Sequence, residues 1–579
     1  MKLAALTGLH DLKRCSATEL EALAADIRQV LIQALCQQGG HLAPNLGSVE
    51  ITLALHSVLD SPRDKILWDV SHQAYTHKLL TGRLDRIHTI RQYGGLAGYT
   101  HPAESEHDHF HWGHASTALS AAVGMARARD LLGQAHAVIA VVGDGALTGG
   151  MAYEALNHAG HEQIPVLMLL NDNGMSIAPN VGGISRHLTE LSQQNLFEHL
   201  GWQYLGPVDG HDIHALQGAL RQALAANRPT VIHARTIKGR GYAPAEGDPR
   251  VYHGLGGYDP ATGARKPSAG PPTYSEVFAR TLTQLAQRDP RIIAVTAAMP
   301  DGTGLAAMQK LLPDRVIDVG IAEQHATTLC AGLARGGMRP VFAVYSTFLQ
   351  RGYDQLIHDV ALQNLPVLFA IDRAGLVEDG ATHQGAFDLA YLRCLPNLTV
   401  MAPADEAELQ EMLCTALTLP GPSAVRYPRS KGAGVPLADE PQPLPVGKAV
   451  VLTEGHDIAL FALGSMVRPA LRAAELLSTC GISAAVVNAR FVKPLDTDLL
   501  TAHANHARLI VTVEEAAAAG GFGGAVAEAL AAMHSRAPLL RLGLPDRFVE
   551  HGNPDLHRQA IGLDARGIAE ACLRAYSRA

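Results

Sequence analysis

Residues 137–173 of the chain read AVIAVVGDGALTGGMAYEALNHAGHEQIPVLMLLNDN. The apolar runs 137–142 and 164–170 have the length and composition of buried strands, and residues 151–159 between them predict a helix. A strand, helix, strand order of this kind predicts a βαβ unit with parallel strands. The polar ends Gly143-Asp144-Gly145 and Asn171-Asp172-Asn173 should then lie at one edge of a sheet.

The two polar ends offer oxygen ligands beside a glycine-rich turn. Asp144 has a carboxylate and Asn173 an amide oxygen, which suit a Mg²⁺ ion that keeps diphosphate oxygens as its other ligands. A Gly-Asp-Gly sequence alone is common in tight turns, so a plain turn is the alternative. Because paired strands and Asn173 accompany the turn, the residues predict a site for a metal ion and a diphosphate.

Composition restricts the class of protein. The chain has 579 residues, which predicts about three domains, with 47% apolar residues, 18% charged residues and a net charge of −8. This balance gives no electrostatic reason to bind nucleic acid or an anionic membrane. The seven cysteines include no close C-x-x-C pair, and no apolar run has the length of a signal peptide or membrane helix. We therefore expect a cytoplasmic protein with reduced thiols, no membrane and no nucleic-acid partner.

Proline and glycine divide the chain. Residues 243–273 and 430–447 are rich in both, and they are predicted to be linkers without regular structure. The parts between them, 1–242, 274–429 and 448–579, alternate short apolar strands with helical segments. The predicted fold class is α/β, with three doubly wound α/β domains and mainly parallel sheets. Further predicted strands are 292–295, 341–344, 366–371, 458–464 and 509–513.

The residue types and spacing of Asp144 and Asn173 resemble the diphosphate motif of thiamine-diphosphate enzymes. The resemblance implies that both residues bind Mg²⁺, with the backbone carbonyl of Met175 as a further ligand. Thiamine diphosphate chemistry also needs a carboxyl group that moves a proton at the aminopyrimidine ring. Glu323, in the segment 316–325 (VIDVGIAEQH), is the candidate. Taken alone, Glu323 would be a first-turn glutamate favoured by the helix dipole.

Other segments narrow the resemblance. Residues 39–47 (GGHLAPNLG) and 68–75 (WDVSHQAY) resemble the N-terminal signature of the transketolase superfamily. Residues 113–117 (GHAST), 345–351 (YSTFLQR) and 379–385 (DGATHQG) are similar to one of its families, the 1-deoxy-D-xylulose-5-phosphate synthases. The resemblance extends over nearly the whole chain. It implies a transketolase-type fold with a diphosphate-binding domain, a pyrimidine-binding domain and a C-terminal domain, in that order.

The resemblance also implies an activity. Thiamine diphosphate and Mg²⁺ would support the decarboxylative condensation of pyruvate with D-glyceraldehyde 3-phosphate, which gives 1-deoxy-D-xylulose 5-phosphate and CO₂. This is the first step of the methylerythritol phosphate route to isoprenoids, and thiamine biosynthesis uses the same product. A homodimer is expected. The alternatives are a transketolase or another two-carbon-transferring thiamine-diphosphate enzyme, and a catalytically silent paralogue, although Glu323, Asp144 and Asn173 are all present.

The site residues that the resemblance implies fall into two overlapping sets. Histidines would exchange protons near neutral pH, and arginines would bind carboxylate and phosphate through their planar fork. A structural histidine, among 29 in the chain, and a surface ion pair are the alternatives for any single residue. The catalytic set is Glu323, His41, His72, His383, Asp379, Arg373, Arg429, Arg351 and Tyr345. The cofactor set is His72, Gly113, His114, Ala115, Gly145, Ala146, Asn173, Tyr242, Glu323 and Phe348.

Two segments depart from the family pattern, and a third resembles a nucleotide-binding turn in its glycine content. Residues 186–195 form a short connection where the family has a long insertion, and this short form is either natural or engineered. The stretch 374–380 is one residue shorter than usual, which could move Asp379 relative to Arg373. The glycines in 520–524 lack the order of a nucleotide-binding turn, and we interpret them as packing and dimer surface.

Overall fold

The structure is a computed structural model, and it describes residues 2–190, 195–266 and 269–578. The chain forms two compact units, Met1–Ser268 with Gly320–Ala322, and Ala269–Val319 with Glu323–Ala579. Residues 191–194 of the predicted short connection and 267–268 of the first predicted linker lie outside the described residues. Within the described part of the chain, no helix is both long and apolar enough to cross a bilayer.

The first unit contains one five-stranded sheet. Its strand order is β1-β2-β3-β5-β4, and every neighbouring pair is parallel. The strands are β1 (Lys65–Trp68), β2 (Val138–Gly143), β3 (Leu167–Asp172), β4 (Gln203–Asp209) and β5 (Thr230–Arg235). The helices are α1 (Leu9–Leu12), α2 (Ala17–Leu35), α3 (Leu42–Gly47), α4 (Val49–Val58), α5 (Tyr75–Lys78), α6 (Ala118–Leu131), α7 (Gly150–Glu162), α8 (Gly183–Thr189), α9 (Leu196–His199), α10 (Ile213–Ala226) and α11 (Ala243–Gly247).

Both faces of the sheet are buried at β2 and β3, which explains why these two strands are continuous apolar runs. Side chains alternate along β2, so Ile139 and Val141 join one hydrophobic cluster while Ala140 and Val142 join the other. The βαβ prediction for residues 137–173 is confirmed. The strand β3 begins at Leu167, later than predicted, because Pro165 has no N–H group to give to the ladder.

The first predicted linker contains regular structure, and this part of the prediction is corrected. The helix α11 lies within it, and Gly40 and Leu255 form a two-way backbone bridge. Tyr252 and Tyr258 are buried, and the Tyr258 hydroxyl donates a hydrogen bond of 2.6 Å to the Ile32 carbonyl. Aromatic side chains among the prolines therefore anchor residues 243–266 in the first unit.

The second unit contains two sheets. The larger has the order β15-β10-β11-β9-β8-β6-β7 and the smaller β12-β14-β13-β16-β17. The strands are β6 (Ile292–Thr296), β7 (Val316–Asp318), β8 (Arg339–Tyr345), β9 (Leu368–Asp372), β10 (Thr399–Met401), β11 (Ser423–Arg426), β12 (Val450–Thr453), β13 (Ile458–Ala462), β14 (Ala484–Asn488), β15 (Phe491–Lys493), β16 (Leu509–Ala517) and β17 (Leu539–Leu544). The helices are α12 (Tyr274–Arg288), α13 (Leu305–Leu311), α14 (Glu323–Arg335), α15 (Ser346–Leu349), α16 (Tyr353–Gln355), α17 (Asp388–Arg393), α18 (Glu406–Thr418), α19 (Val467–Thr479), α20 (Thr497–Ala504), α21 (Phe522–Ala532), α22 (Pro554–Ile561) and α23 (Ala565–Tyr576).

The pairing is parallel except at two strands. The edge strand β15 is antiparallel to β10, and β12 is antiparallel to β14. The three sheets, mainly parallel and with helices between the strands, confirm the predicted α/β class. Two features were not predicted. The strand β15 belongs to the predicted C-terminal part, 448–579, but it forms the edge of the larger sheet. One hydrophobic core also contains both Phe369 of the middle part and Phe461 of the C-terminal part. The middle and C-terminal parts therefore form one compact unit.

The second predicted linker has no helix or strand between residues 430 and 447. Its backbone is nevertheless held by a buried carboxylate. Glu406, at the start of α18, accepts hydrogen bonds from the N–H groups of Ala433 (2.7 Å), Gly434 (2.6 Å) and Val435 (3.0 Å). Residues 430–447 thus have an irregular conformation, but hydrogen bonds to Glu406 hold part of this segment in place. The limits of the predicted domains stay a prediction.

Candidate active site

The first group of predicted residues lies at the carboxyl ends of β2 and β3. Asp144 follows β2 directly, begins a short 3₁₀ turn and is only 2% exposed. The Asn180 side-chain amide donates a 2.8 Å hydrogen bond to Asp144 Oδ2. Burial and the neighbouring carboxylate of Asp172 raise the pKa of Asp144 well above its usual range. Two carboxyl groups thus lie close together in a buried place.

The turn after β3 faces the same position. The Met175 N–H donates to Asn173 Oδ1 at 3.2 Å, and the Asn180 N–H donates to the Gly174 carbonyl at 2.9 Å. Asn180 therefore joins the Asn173 turn to Asp144. At Gly145 an added Cβ atom would lie 3.0 Å from the Ser176 Cβ, so a side chain there would require Ser176 to shift. Glycine keeps this turn compact next to the Asn173 turn.

These groups fit a divalent cation. A cation would favour the ionised form of Asp144, whose pKa is raised by burial and by Asp172. The Asp172 carboxylate itself lies 2.8 Å from His233 Nε2. Amide and backbone oxygens at Asn173 and Met175 are the other kinds of ligand that Mg²⁺ accepts. Within the described residues, no group of three or more His, Cys, Asp or Glu side chains suits a metal ion. A site here would therefore need the amide and carbonyl oxygens as well as the carboxylate.

Lys238 is a further charged group that sequence reasoning missed. Its side chain is buried, and Nζ donates a hydrogen bond to the Ser176 carbonyl. Burial lowers the pKa of Lys238 to about 7, and the charge of Asp144 opposes this effect. The sequence contains a signal for this position. Lys238 closely follows β5, and β5 is parallel to β3, so Lys238 lies at the same edge of the sheet as Asn173.

The predicted histidines of the first unit are brought together. The rings of His41 and His72 have centroids 5.4 Å apart, and Asn45 Nδ2 donates 2.7 Å hydrogen bonds to the backbone carbonyls of both residues. A third imidazole was missed. The ring of His253 lies 5.7 Å from that of His41 and 5.3 Å from that of His72. Burial lowers the pKa of His253, with the charge of Lys238 adding to the effect.

The remaining cofactor candidates of the first unit lie on three segments of the chain. Gly113, His114 and Ala115 precede α6, and Gly145 and Ala146 belong to the 3₁₀ turn that begins at Asp144. Tyr242 packs in a cluster with Tyr252 and Tyr258 at ring distances of 5.9 and 6.3 Å. The Tyr242 hydroxyl donates to the Pro260 carbonyl at 3.1 Å. A contact of Tyr242 with the cofactor stays a prediction.

In the second unit, Glu323 is the first residue of α14 and is 3% exposed. Its Oε2 atom has no hydrogen-bond partner among the described residues, and Arg351 Nη1 lies 3.9 Å from it. Burial raises the pKa of Glu323, while the positive charge of Arg351 opposes the change. Burial of a carboxyl group without a close donor favours its protonated form.

Aromatic and cationic candidates form a stack beside the end of β8. The rings of Tyr345 and Phe348 are 5.3 Å apart and nearly parallel, and His383 contacts Phe348 edge-on at 5.5 Å. The Arg373 guanidinium lies 3.8 Å from the centre of the Tyr345 ring. Arg373 also pairs with Asp372 at 2.9 Å and donates to the Gly302 carbonyl at 2.7 Å. Four predicted residues therefore meet in one place.

Asp379 and Arg429 form an ion pair close to this stack. Arg429 Nη1 lies 3.5 Å from Asp379 and 3.0 Å from Glu378. Burial raises the pKa of Tyr345 to about 12, and the charges of Arg373, Arg429 and Asp379 all act on its hydroxyl. The charges of Asp379 and Arg373 thus both influence the same tyrosine hydroxyl.

Comparison with known proteins identifies what the chain is similar to. A family model described as 1-deoxy-D-xylulose-5-phosphate synthase matches residues 3–195 and 190–236. The transketolase pyrimidine-binding domain matches residues 270–433, and the transketolase C-terminal domain matches residues 447–568. The three models together cover most of the chain.

Curated relatives agree over the full length. A 1-deoxy-D-xylulose-5-phosphate synthase of Symbiobacterium thermophilum is 57% identical, covering 98% of this chain and 94% of its own. The proteins of the same name from Thermomicrobium roseum and Pelotomaculum thermopropionicum are 53% and 50% identical. They cover 97% and 99% of this chain, and 96% of each relative is covered.

The matches also bear on the short connection. The N-terminal family model matches in two pieces that meet at residues 190–195, which is where the insertion is expected to be missing. The alignment with the Symbiobacterium protein extends over 612 residues, more than the 579 of this chain. Both findings indicate that relatives have residues without a counterpart here.

Proposed function

Because this chain belongs to the 1-deoxy-D-xylulose-5-phosphate synthase family, we propose that it joins pyruvate to D-glyceraldehyde 3-phosphate with loss of CO₂. The product is 1-deoxy-D-xylulose 5-phosphate, the first intermediate of the methylerythritol phosphate route. The protein is a transferase of the transketolase type that depends on thiamine diphosphate. A plain transketolase, the alternative from the sequence, is not favoured, because the N-terminal model that matches is that of the synthase.

The buried carboxyl group of Glu323 is the observation that carries the proposal. It lies at the start of α14 with one oxygen that has no hydrogen-bond partner among the described residues. Leaving a buried polar atom unsatisfied costs about 1–3 kcal/mol, so a functional reason is expected. Burial raises its pKa above the usual range, which favours the protonated form. A protonated Glu323 would donate that proton to the aminopyrimidine ring of the cofactor.

Thiamine diphosphate, when bound, supplies the carbanion and the electron sink that decarboxylation of a 2-oxo acid requires. We propose that Asp144, Asn173 and the Met175 carbonyl hold its Mg²⁺ ion. Gly145 and Ala146 would let backbone approach the diphosphate, and residues 113–115 and His72 would contact the cofactor. Phe348 would stack on the pyrimidine ring. The buried carboxyl group of Asp144, with the half-buried Asp172 beside it, supports the metal assignment.

The substrate groups are assigned by charge and proton chemistry. Arg373, Arg429 and Arg351 would bind the carboxylate and phosphate groups, which match a planar guanidinium. His41, His72 and His383 would exchange protons with substrate oxygens, with Tyr345 and Asp379 orienting them. His41 and His72 are adjacent in the first unit, and Tyr345, Arg373 and His383 belong to one stack in the second.

The proposal includes a homodimer in the cytoplasm. The resemblance to the transketolase superfamily implies the dimer. Exposed Phe387 and Phe548, whose rings are 6.1 Å apart on the second unit, provide apolar surface for a second copy. All seven cysteines are free thiols, which suits a reducing compartment. Sedimentation of the purified protein would test the assembly.

One assay distinguishes the possibilities. Purified protein with thiamine diphosphate, Mg²⁺ and pyruvate is followed for CO₂ and for 1-deoxy-D-xylulose 5-phosphate, with and without D-glyceraldehyde 3-phosphate. We expect the sugar phosphate only when both substrates are present. A parallel reaction with xylulose 5-phosphate and ribose 5-phosphate tests transketolase activity, and we expect no two-carbon transfer.

Other outcomes would contradict the proposal in different ways. CO₂ without the sugar phosphate would indicate a decarboxylase that lacks the acceptor site. Two-carbon transfer between sugar phosphates would indicate a transketolase. Cofactor binding without any turnover would indicate the silent paralogue.

A further inference from the structure

The backbone is strained just before His72. Strand β1 ends at Trp68, and Val70 and Ser71, two and three residues later, adopt positive φ angles of +58° and +65°. A left-handed conformation is unfavourable for residues other than glycine, above all for a β-branched valine. Such strain costs about 1–3 kcal/mol per residue and persists only where surrounding contacts enforce it. The contacts that enforce this turn therefore matter for the position of His72.

The carboxylate of Asp69 makes the first of these contacts. Asp69 is 1% exposed, its Oδ1 accepts a hydrogen bond of 2.8 Å from the Ser116 N–H, and its Oδ2 accepts one of 2.9 Å from the Ala118 N–H. Ala118 is the first residue of α6, so the carboxylate lies at a helix N-terminus, where negative charge is favoured. Asp69 thereby fixes the loop that contains residues 113–117.

Ser116 connects the loop 113–117 to the turn that contains Ala146. It also has a positive φ angle, +69°, and its Oγ donates a hydrogen bond of 2.7 Å to the Ala146 carbonyl. The Ser71 hydroxyl adds a parallel link, since it donates to the Trp112 carbonyl at 3.1 Å and accepts from the Thr100 N–H at 3.0 Å. Hydrogen bonds of Asp69, Ser71 and Ser116 therefore connect three backbone segments. These are the turn before His72, the loop 113–117 and the turn that contains Ala146.

We propose that Asp69 is a positioning residue for cofactor binding, acting through Ser116. Its carboxylate holds the strained turn before His72 against the loop 113–117, and Ser116 transmits that spacing to Ala146. The inference rests on the proposed function, because it takes the three segments to be contacts of thiamine diphosphate. Two oxygen acceptors are essential, since the side-chain amide of asparagine has only one and would present an N–H group to one of the two backbone donors.

The chain offers a matched control at the opposite end of the same strand. Asp64 precedes β1, and its two oxygens also accept backbone hydrogen bonds, from the N–H groups of Asp60 (2.7 Å) and Ala137 (2.8 Å). Asp69→Asn and Asp64→Asn therefore make the same chemical change on two carboxylates with the same kind of partners. Only Asp69 connects to the cofactor segments.

The test measures cofactor affinity and stability separately. The dissociation constant of thiamine diphosphate is measured by titration calorimetry at fixed Mg²⁺, and unfolding of the metal-free protein is followed by tryptophan fluorescence. All three tryptophans, Trp68, Trp112 and Trp202, lie in the first unit. We expect Asp69→Asn to raise the dissociation constant about tenfold, since it leaves a backbone donor unpaired. Asp64→Asn should lose stability but change affinity by less than about twofold.

A second variant keeps the test decisive where Asp69→Asn fails to fold. Ser116→Ala removes only the hydroxyl that bonds to the Ala146 carbonyl, and we expect it to raise the dissociation constant about threefold. In the double variant the two effects should not add, because both act through the same loop. A general loss of stability would not produce that coupling.

Three results would overturn the inference. One is wild-type affinity in both Asp69→Asn and Ser116→Ala, which would leave the proposed function intact. Another is an equal loss of affinity in Asp64→Asn, which would show that the loss in Asp69→Asn reflects lower stability of the first unit. The third is a wild-type protein that binds no thiamine diphosphate, which would overturn the proposed function at the same time.

Discussion

Arg351 Nη1 lies 3.9 Å from Oε2 of Glu323, at an ion-pair distance but without a hydrogen bond. Burial raises the pKa of the Glu323 carboxyl group, and this single cation opposes the rise only in part. Among the described residues the Oε2 atom thus has a positive charge nearby and no donor. This arrangement leaves the carboxyl group free to exchange a proton with a bound ring nitrogen.

Glu323→Gln should therefore abolish turnover while leaving the fold intact. The amide has the same shape but cannot transfer a proton, and general acid–base catalysis contributes typically about 10²–10⁴-fold. We expect kcat to fall by at least about 100-fold, with thiamine diphosphate affinity changed far less. Steady-state kinetics and calorimetry measure the two quantities.

Glu276→Gln is the control for this substitution. Glu276 also lies in the first turn of a helix, α12, but it is exposed and completes a capping box with Thr273. Its loss should affect stability slightly and turnover not at all. Near-normal turnover in Glu323→Gln would remove Glu323 from the mechanism.

Asp144→Asn should separate stability from metal binding. In the metal-free protein, burial and Asp172 make ionised Asp144 unfavourable, so replacing it with a neutral side chain should raise the free energy of unfolding. The same change removes the carboxylate ligand, and thiamine diphosphate affinity should no longer increase with Mg²⁺ concentration. Urea unfolding and calorimetry at several Mg²⁺ concentrations provide the measurements.

An exposed aspartate of the same unit provides the comparison. Asp209 ends β4 and accepts a 2.8 Å hydrogen bond from the His211 N–H. Asp209→Asn should keep the Mg²⁺ dependence of the wild type. If Asp144→Asn also kept it, Asp144 would not be a metal ligand.

Sequence reasoning predicted the positions of the candidate residues that lie at strand ends. Asp144 and Asn173 follow apolar runs, and the parallel βαβ rule alone places them at one edge of the sheet. Glu323 was placed at a junction of strand and helix by the same pattern, but its role came from the resemblance to thiamine-diphosphate enzymes. These positions depend on local periodicity, which a single sequence contains.

The missed residues depend on long-range packing. His253 lies in a segment whose prolines and glycines predicted an irregular linker, although the buried rings of Tyr252 and Tyr258 hold it in place. Asn180 contacts Asp144 across a loop, with nothing in the sequence to indicate the pairing. The strand β15 pairs with β10 over about 90 residues, beyond the reach of any local pattern. Proline and glycine content indicates where helices and strands end. Whether the backbone is held in place there depends on tertiary contacts.

Arg373→Lys should impair binding of the phosphate-bearing substrate. The flat guanidinium lies 3.8 Å from the centre of the Tyr345 ring while it donates to the Gly302 carbonyl. Lysine keeps the charge but cannot stack as a plane or give a paired hydrogen bond to phosphate. We expect KM for D-glyceraldehyde 3-phosphate to rise about tenfold, with a smaller change in KM for pyruvate.

Arg288→Lys is the matched control, because Arg288 is exposed and pairs with Glu440 at the surface. It should leave both Michaelis constants unchanged. An equal rise of both constants in Arg373→Lys would indicate a general disturbance of the stack, and no rise would exclude a role in binding.

The stability of the first unit should decrease at mildly acidic pH because of two buried histidines. His56 Nε2 lies 2.9 Å from His77 Nδ1, and His77 Nε2 lies 3.0 Å from Asp108. Burial lowers the pKa of His56 and of His77, with His107 and Arg83 adding to the effect and Asp108 opposing it at His77. Both rings therefore stay neutral in the folded protein at pH values where they are protonated in the unfolded chain.

The sign follows from proton binding. The unfolded chain takes up protons below about pH 6.5, and the folded chain does not, so the free energy of unfolding falls as the pH decreases below that value. Each ring contributes a slope of up to about 1.4 kcal/mol per pH unit. We expect the wild type to lose about 2 kcal/mol between pH 7.5 and 5.5 from these two groups, measured by urea unfolding with tryptophan fluorescence.

Comparison of two variants isolates the contribution of this pair from that of the other histidines. His56→Gln removes one buried ring, so its stability should depend less on pH than that of the wild type by about 1 kcal/mol over the same interval. His161→Gln changes an exposed ring on α7 and should keep the wild-type dependence, since water solvates that side chain in both states. Equal pH dependence in His56→Gln and His161→Gln would show that the buried pair titrates alike in the folded and unfolded states, contrary to its complete burial.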